Sequence, residues 1–353
     1  MSARAEALWA RLRAVGIVTG DAPPQSTDTP WYVALLLGMS AWIAAGCFFA
    51  GVLLLFESIV DIAPLAFATG VGCCALAMWL LHVARGRAFP EQAGIACSLV
   101  GQLLIGNAFD HWVDAWLPHA LQSAMWLGIV AVALAMYRLT RLPIHRFLCG
   151  LIVSVALMGM FDFSLLYRQP LAMPALVWFA AALWWRSARH DRIALGLAPL
   201  AWAASLVALL AIWLTQIGAS DIAADTRATW VLWQRDLAIA PLLPVVAWHA
   251  MQRLPTLSAN VRRTMLAIAV LLALLWLRAP GVAFGASLAL AGFVLYRPAL
   301  LVVGLFGVAG YLWFHYWQQD TTLFEKAFWL AGSGVVLLTL RRVVPARLHE
   351  ADA

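Results

Sequence analysis

Long apolar runs separated by short polar connectors follow one another along almost the whole chain. A bilayer core is about 30 Å thick, so a crossing helix needs about 20 mostly apolar residues. On that scale the pattern predicts twelve spans: Tyr32–Phe56, Ile62–His82, Gln92–Phe109, Leu117–Tyr137, Phe147–Tyr167, Leu171–Trp185, Ile193–Thr215, Leu237–Met251, Thr264–Leu277, Val282–Tyr296, Ala299–Trp317 and Leu323–Leu340. Several are short, and the connectors Arg168–Pro170, Arg278–Gly281 and Arg297–Pro298 are tight. The count falls to ten or eleven if one short pair re-enters instead of crossing. Ahead of the first span, Ala3–Val15 has Leu8, Trp9, Leu12 and Val15 at helical spacing, with Gly16 as its stop. This predicts an amphipathic surface helix, followed by a linker rich in Pro, Thr and Asp. The expected organisation is residues 1–30 as cytoplasmic helix and linker, 31–341 as an all-α polytopic transmembrane bundle, and 342–353 as a cytoplasmic tail.

Composition supports lipid as the solvent. Of the 353 residues, 64% are hydrophobic and 11% charged, against about 45–50% and about 25% in soluble domains. The net charge of +6 does not indicate nucleic acid, because the basic residues sit in short clusters between apolar runs. Under the twelve-span reading, 18 of the 23 Lys and Arg fall on one side and 5 on the other. The positive-inside rule then puts both termini in the cytoplasm. Glu57, Asp61, Asp110, Asp114, Asp221, Asp225, Asp236, Asp320 and Glu325 map to the outer face. Many of the 19 Trp fall near span ends, as an aromatic belt requires. The five Cys lie inside apolar runs without a C-x-x-C pair, and read as small apolar fillers.

Candidate chemistry is sparse. Asp110, His111, Asp114 and His119 follow the third span; Asp110 and Asp114, four apart, share a face if the segment is helical. They are either a solvated acidic loop or catalytic candidates at the outer surface, where a divalent ion would need a further ligand such as Glu57, Asp61 or His315. Asp162 is the clearest acid within a span; it is neutral, snorkels to the nearby interface, is paired with Arg168 or Arg278 on its side, or faces a polar path. Gln102 and Gln122, on neighbouring helices, are expected to hydrogen-bond to each other. Asp320, Thr322, Glu325 and the lone Lys326 form an outer-face motif in which Thr322 and Glu325 have capping-box spacing. Gly281, Gly285 and Ala289, with Gly304, Gly307 and Gly310, predict close helix contact. No phosphate-loop, zinc-helix, nucleophile-elbow or S-x-x-K motif occurs, and no metal set or cofactor is expected.

Two stretches carry a resemblance. One is Leu8-Trp9-Ala10-Arg11-Leu12 followed by Gly16-Ile17-Val18-Thr19-Gly20. The other is Tyr316-Trp317-Gln318-Gln319-Asp320-Thr321-Thr322-Leu323-Phe324-Glu325-Lys326, with Gly332 and Gly334 beyond. Together they resemble the bacterial inner-membrane family called domain of unknown function 4401. Trp317 and Gln318-Gln319 stand at aromatic and small-polar positions of that family, and Ala327 replaces an expected Ser. The family tends to be encoded beside another multi-pass family and a single-span protein named for a GDYXXLXY motif. The resemblance therefore implies membrane-protein partners and a complex, and supplies no catalytic residues. The expected function is a non-enzymatic subunit of an envelope membrane complex. The alternatives are a transporter or channel using Asp162, and a membrane enzyme acting on a lipid-linked substrate at the outer face.

Overall fold

A computed structural model describes residues 61–84, 88–116, 123–160, 172–188, 192–217, 226–253, 258–277 and 279–318, with scattered positions towards either end. Among these residues there are eleven helices and no strand. They are α1 (Ala63–Ala84), α2 (Ala88–Trp116), α3 (Ser123–Leu139), α4 (Pro143–Gly159), α5 (Ala172–Ser187), α6 (Arg192–Ile217), α7 (Thr226–Ile239), α8 (Leu242–Gln252), α9 (Ala259–Leu275), α10 (Pro280–Val294) and α11 (Pro298–Gln318). Ala63–Val83, Phe89–Val113 and Gly196–Thr215 are long and apolar enough to cross a membrane. Met125–Leu139, Pro143–Gly159, Pro280–Val294 and Pro298–Phe314 are apolar but shorter. At 1.5 Å per residue, a 15-residue helix reaches only about 22 Å.

Most helix positions agree with the apolar runs, with two corrections. The third predicted span does not end at Phe109; α2 continues to Trp116. No Gly or Pro follows Phe109 to stop it, and Phe109 and Trp112 pack as one turn against Phe67 of α1, with ring centroids 6.2 and 5.3 Å away. The eighth predicted span is not one helix. It is interrupted at Ala240 and Pro241, between α7 and α8, because Pro241 has no N–H to give to the preceding turn. The first and last predicted spans lie mainly outside the described residues. Of the amino-terminal helix, Val15 N bonds to Arg11 O at 3.2 Å, and Gly16 closes the turn with φ of 74°.

Sequence-adjacent helices pair: α1 with α2, α3 with α4, α5 with α6, and α10 with α11. Further packing of α4 on α6 and of α8 on α10 joins the pairs around one core, in which Trp184, Phe284 and Tyr311 are fully buried. Small residues set the closest approaches. A Cβ at Gly70 of α1 would stand 2.8 Å from the Gly101 carbonyl of α2, and one at Gly281 of α10 would enter the Tyr311 ring of α11. The outward surface is apolar, with Leu103, Phe293, Phe306, Trp313 and Trp317 all well exposed.

Pro280 and Pro298 start α10 and α11 at the position where a missing N–H costs least. Between the two helices, Arg297 N donates to Gly292 O at 2.8 Å, and Tyr296 takes the left-handed position with φ of 53°. Its side chain is 91% exposed, so little packing offsets the backbone cost of about 1–2 kcal/mol for an L-residue there. Tyr296→Gly is expected to stabilise the protein by about 1 kcal/mol, read from unfolding in detergent; a destabilised variant would mean that the ring contributes more than the backbone loses.

Candidate functional site

The most heavily desolvated charges among the described residues are Arg235 and Asp236, at 5% and 3% exposure. Consecutive on α7, they fold back on each other: Arg235 Nε donates to Asp236 Oδ1 at 2.8 Å, and Nη2 lies 2.7 Å from the same oxygen. Arg235 Nη1 donates to Thr215 Oγ1 near the end of α6 at 3.2 Å, while that hydroxyl donates to Ile212 O at 2.8 Å. One turn further on, the segment breaks. The Ala238 carbonyl, close to the interruption, accepts the Trp178 indole N–H of α5 at 2.9 Å. A buried ion pair thus stands beside a broken helix, with a tryptophan holding one backbone group near the break. Charges removed from water are costly unless paired, and in an apolar bundle such groups are the first place to look for function.

A second polar cluster lies between α2 and α4. His145 is fully buried, with Nδ1 2.7 Å from Thr140 Oγ1 and Nε2 2.8 Å from Ser98 Oγ. Gln102 Nε2 donates to Ser98 Oγ at 3.0 Å and approaches Cys149 Sγ at 3.7 Å, leaving Gln102 Oε1 without a hydrogen-bond partner. Thr140, His145, Ser98 and Gln102 form a continuous line of exchangeable protons. Such a line fixes how α2 and α4 sit on each other, since each group is costly to bury alone.

The basic turns converge at one end of the bundle. Tyr137 OH donates to Gly196 O, and the Arg146 guanidinium lies 5.5 Å from the Tyr137 ring centroid. Arg253 stacks over Trp185 at 4.8 Å and Arg297 over Trp184 at 5.3 Å. The turns after α3, α5, α8 and α10 therefore share one end.

The residues singled out in the sequence fare unevenly. Asp110 and His111 are exposed on the final turns of α2, and Asp114 belongs to the same helix, so the expected loop is helical. No group of three or more metal-ligating side chains occurs among the described residues. Gln102 is buried, but its amide meets Ser98 and Cys149 of the α2–α4 contact. Gln122, Asp162, Arg168, Arg278, Asp320, Thr322, Glu325 and Lys326 lie outside the described residues. Asp236, expected as an outer-face acid, is buried and ion-paired instead. The reason is that α7 turns its Arg235–Asp236 step inward against Thr215. The His145 cluster was missed, although Ser98 and Gln102, and likewise His145 and Cys149, stand four apart and share a helix face.

No curated protein and no solved structure matches the chain. A family model described as domain of unknown function (DUF4401) matches residues 30–347, nearly the whole length. The apolar helical bundle and this match together place the chain in the DUF4401 family.

Proposed function

We propose that the chain is a multi-pass protein of the bacterial cytoplasmic membrane, with twelve spans and both termini in the cytoplasm, and that it serves as a non-catalytic subunit of a membrane assembly. The observation that carries the membrane placement is the convergence of the basic turns at one end, where Arg146, Arg253 and Arg297 rest on Tyr137, Trp185 and Trp184. Arg gathered in the turns at one end of an apolar bundle is the bias that the positive-inside rule associates with a cytoplasmic face. Gln252→Cys, at an exposed position of that end, is expected to react with an impermeant maleimide only after lysis. Asp110→Cys, exposed near the far end of α2, should react in intact cells. Reversed labelling would overturn the orientation.

The subunit role is favoured by the way buried polar groups engage one another: Arg235 with Asp236 and Thr215, and His145 with Ser98 and Thr140. Both clusters act as ties between helices, as expected of a rigid membrane scaffold. Affinity purification of the tagged chain from a mild detergent should bring down a second membrane protein in fixed ratio; a clean monomer from native membranes would remove the role.

A second reading, transport, has one observation of its own in the ion pair beside the Ala240–Pro241 interruption. Discontinuous helices near buried charges are how many carriers build a binding site. Ion flux into proteoliposomes above the empty-vesicle leak, abolished by Asp236→Asn in folded protein, would favour transport over the scaffold. Asp162 remains a second candidate for such a path.

A further inference from the structure

Between α5 and α8, on the side leading to the basic end, lies a cleft of about 330 Å³. Its walls include Trp178, Ala181, Trp185, Leu242, Val246 and His249, so it is lined mainly by apolar side chains. The polar features sit towards one end. Arg186 and His249 line the cleft there, and Arg253 is exposed immediately beyond, its guanidinium stacked 4.8 Å over the Trp185 ring. His249 Nδ1 donates to Val245 O at 2.9 Å, which fixes the ring against its own helix. The Trp185 and His249 rings meet edge to face at 5.1 Å, so both stand in one orientation.

We infer that this cleft holds one chain of an anionic phospholipid, with its phosphate at Arg253. The charge complementarity is the deciding observation. An apolar slot alone would accept any acyl chain, whereas a slot ending in a fixed guanidinium selects a negative headgroup. Basic pockets between membrane helices on the cytoplasmic side bind such headgroups, and Arg presents paired donors matched to phosphate oxygens. A free phosphate offers the same headgroup chemistry but leaves the apolar slot unfilled. The inference rests on the membrane placement proposed above.

The test uses the full chain in bilayer nanodiscs. Phosphatidylglycerol carrying brominated acyl chains is expected to quench a component of tryptophan emission that is missing from Trp185→Phe. Brominated phosphatidylcholine should quench that component about fivefold less effectively, about 1 kcal/mol for one cationic contact. Arg253→Gln, at an exposed position, should abolish the preference while leaving the protein folded. Equal quenching by the two lipids would overturn the assignment with the membrane placement intact. Failure of the chain to enter bilayers at all would overturn both. Inorganic phosphate raising the melting temperature in purely phosphatidylcholine discs, with that rise lost in Arg253→Gln, would reassign the site to a soluble anion and overturn the lipid.

Discussion

Asp236→Ala should lower the unfolding free energy by about 3–5 kcal/mol, because it leaves the Arg235 guanidinium inside the bundle without its carboxylate. Arg235 is 5% exposed, so water cannot take over the lost role without opening the contact between α6 and α7. Thr215 cannot take it over either, since its hydroxyl is neutral and already donates to Ile212 O. Thr215→Val should cost less, about 1.5–3 kcal/mol, the scale of one hydrogen bond to a charged group. The double variant Arg235→Met with Asp236→Leu should recover much of the loss, because replacing a buried pair by apolar groups of similar volume is often neutral. Denaturant titration in micelles reads all three. A single-variant loss below about 1 kcal/mol would mean that the pair is hydrated in the folded protein.

Gly304→Val should separate α10 from α11. A Cβ at Gly304 would collide with the Ala289 backbone nitrogen and stand 2.7 Å from the Gly285 carbonyl oxygen. Backbone atoms cannot rotate aside as a side chain does, so the helices must move apart. Overpacking usually costs about 1–3 kcal/mol, and the rigidity of this contact puts the expected loss at or above the top of that range. Gly72→Val is the matched control. It makes the same change on α1, where an added Cβ meets nothing within 4 Å. Equal losses in the two variants would assign the effect to helix propensity and not to the contact.

The helices were legible because lipid-facing segments must be apolar throughout their length, a signal that needs no knowledge of tertiary contacts. The glycine contact of α10 with α11 was legible for a related reason: Gly281 and Gly285, one turn apart, leave a groove only a close neighbour can fill. The α7–α8 interruption was visible in principle as Pro241, but an apolar run reads the same whether or not its helix is continuous. Asp236 was misplaced because a sequence gives position along the chain and not which way a terminal turn faces. Ser98, His145 and Cys149 were each unremarkable singly, and Gln102 was expected to meet Gln122, whereas its amide meets Ser98 and Cys149. Their cluster depends on a non-local contact of α2 with α4, which hydropathy cannot report.

The Arg235 bond to Thr215 also bears on how the protein is made. Most helices here find their closest neighbour next in sequence, so each hairpin can leave the insertion machinery with its own packing in place. The two charges on α7 add a condition to this order. The Arg235 guanidinium completes its shielding on Thr215 of α6, so α6 has to wait at the exit until α7 has been synthesised. On this reading α6 and α7 are released together, and a variant lacking the Thr215 hydroxyl should show its defect first in membrane yield during synthesis, before any loss in the finished protein.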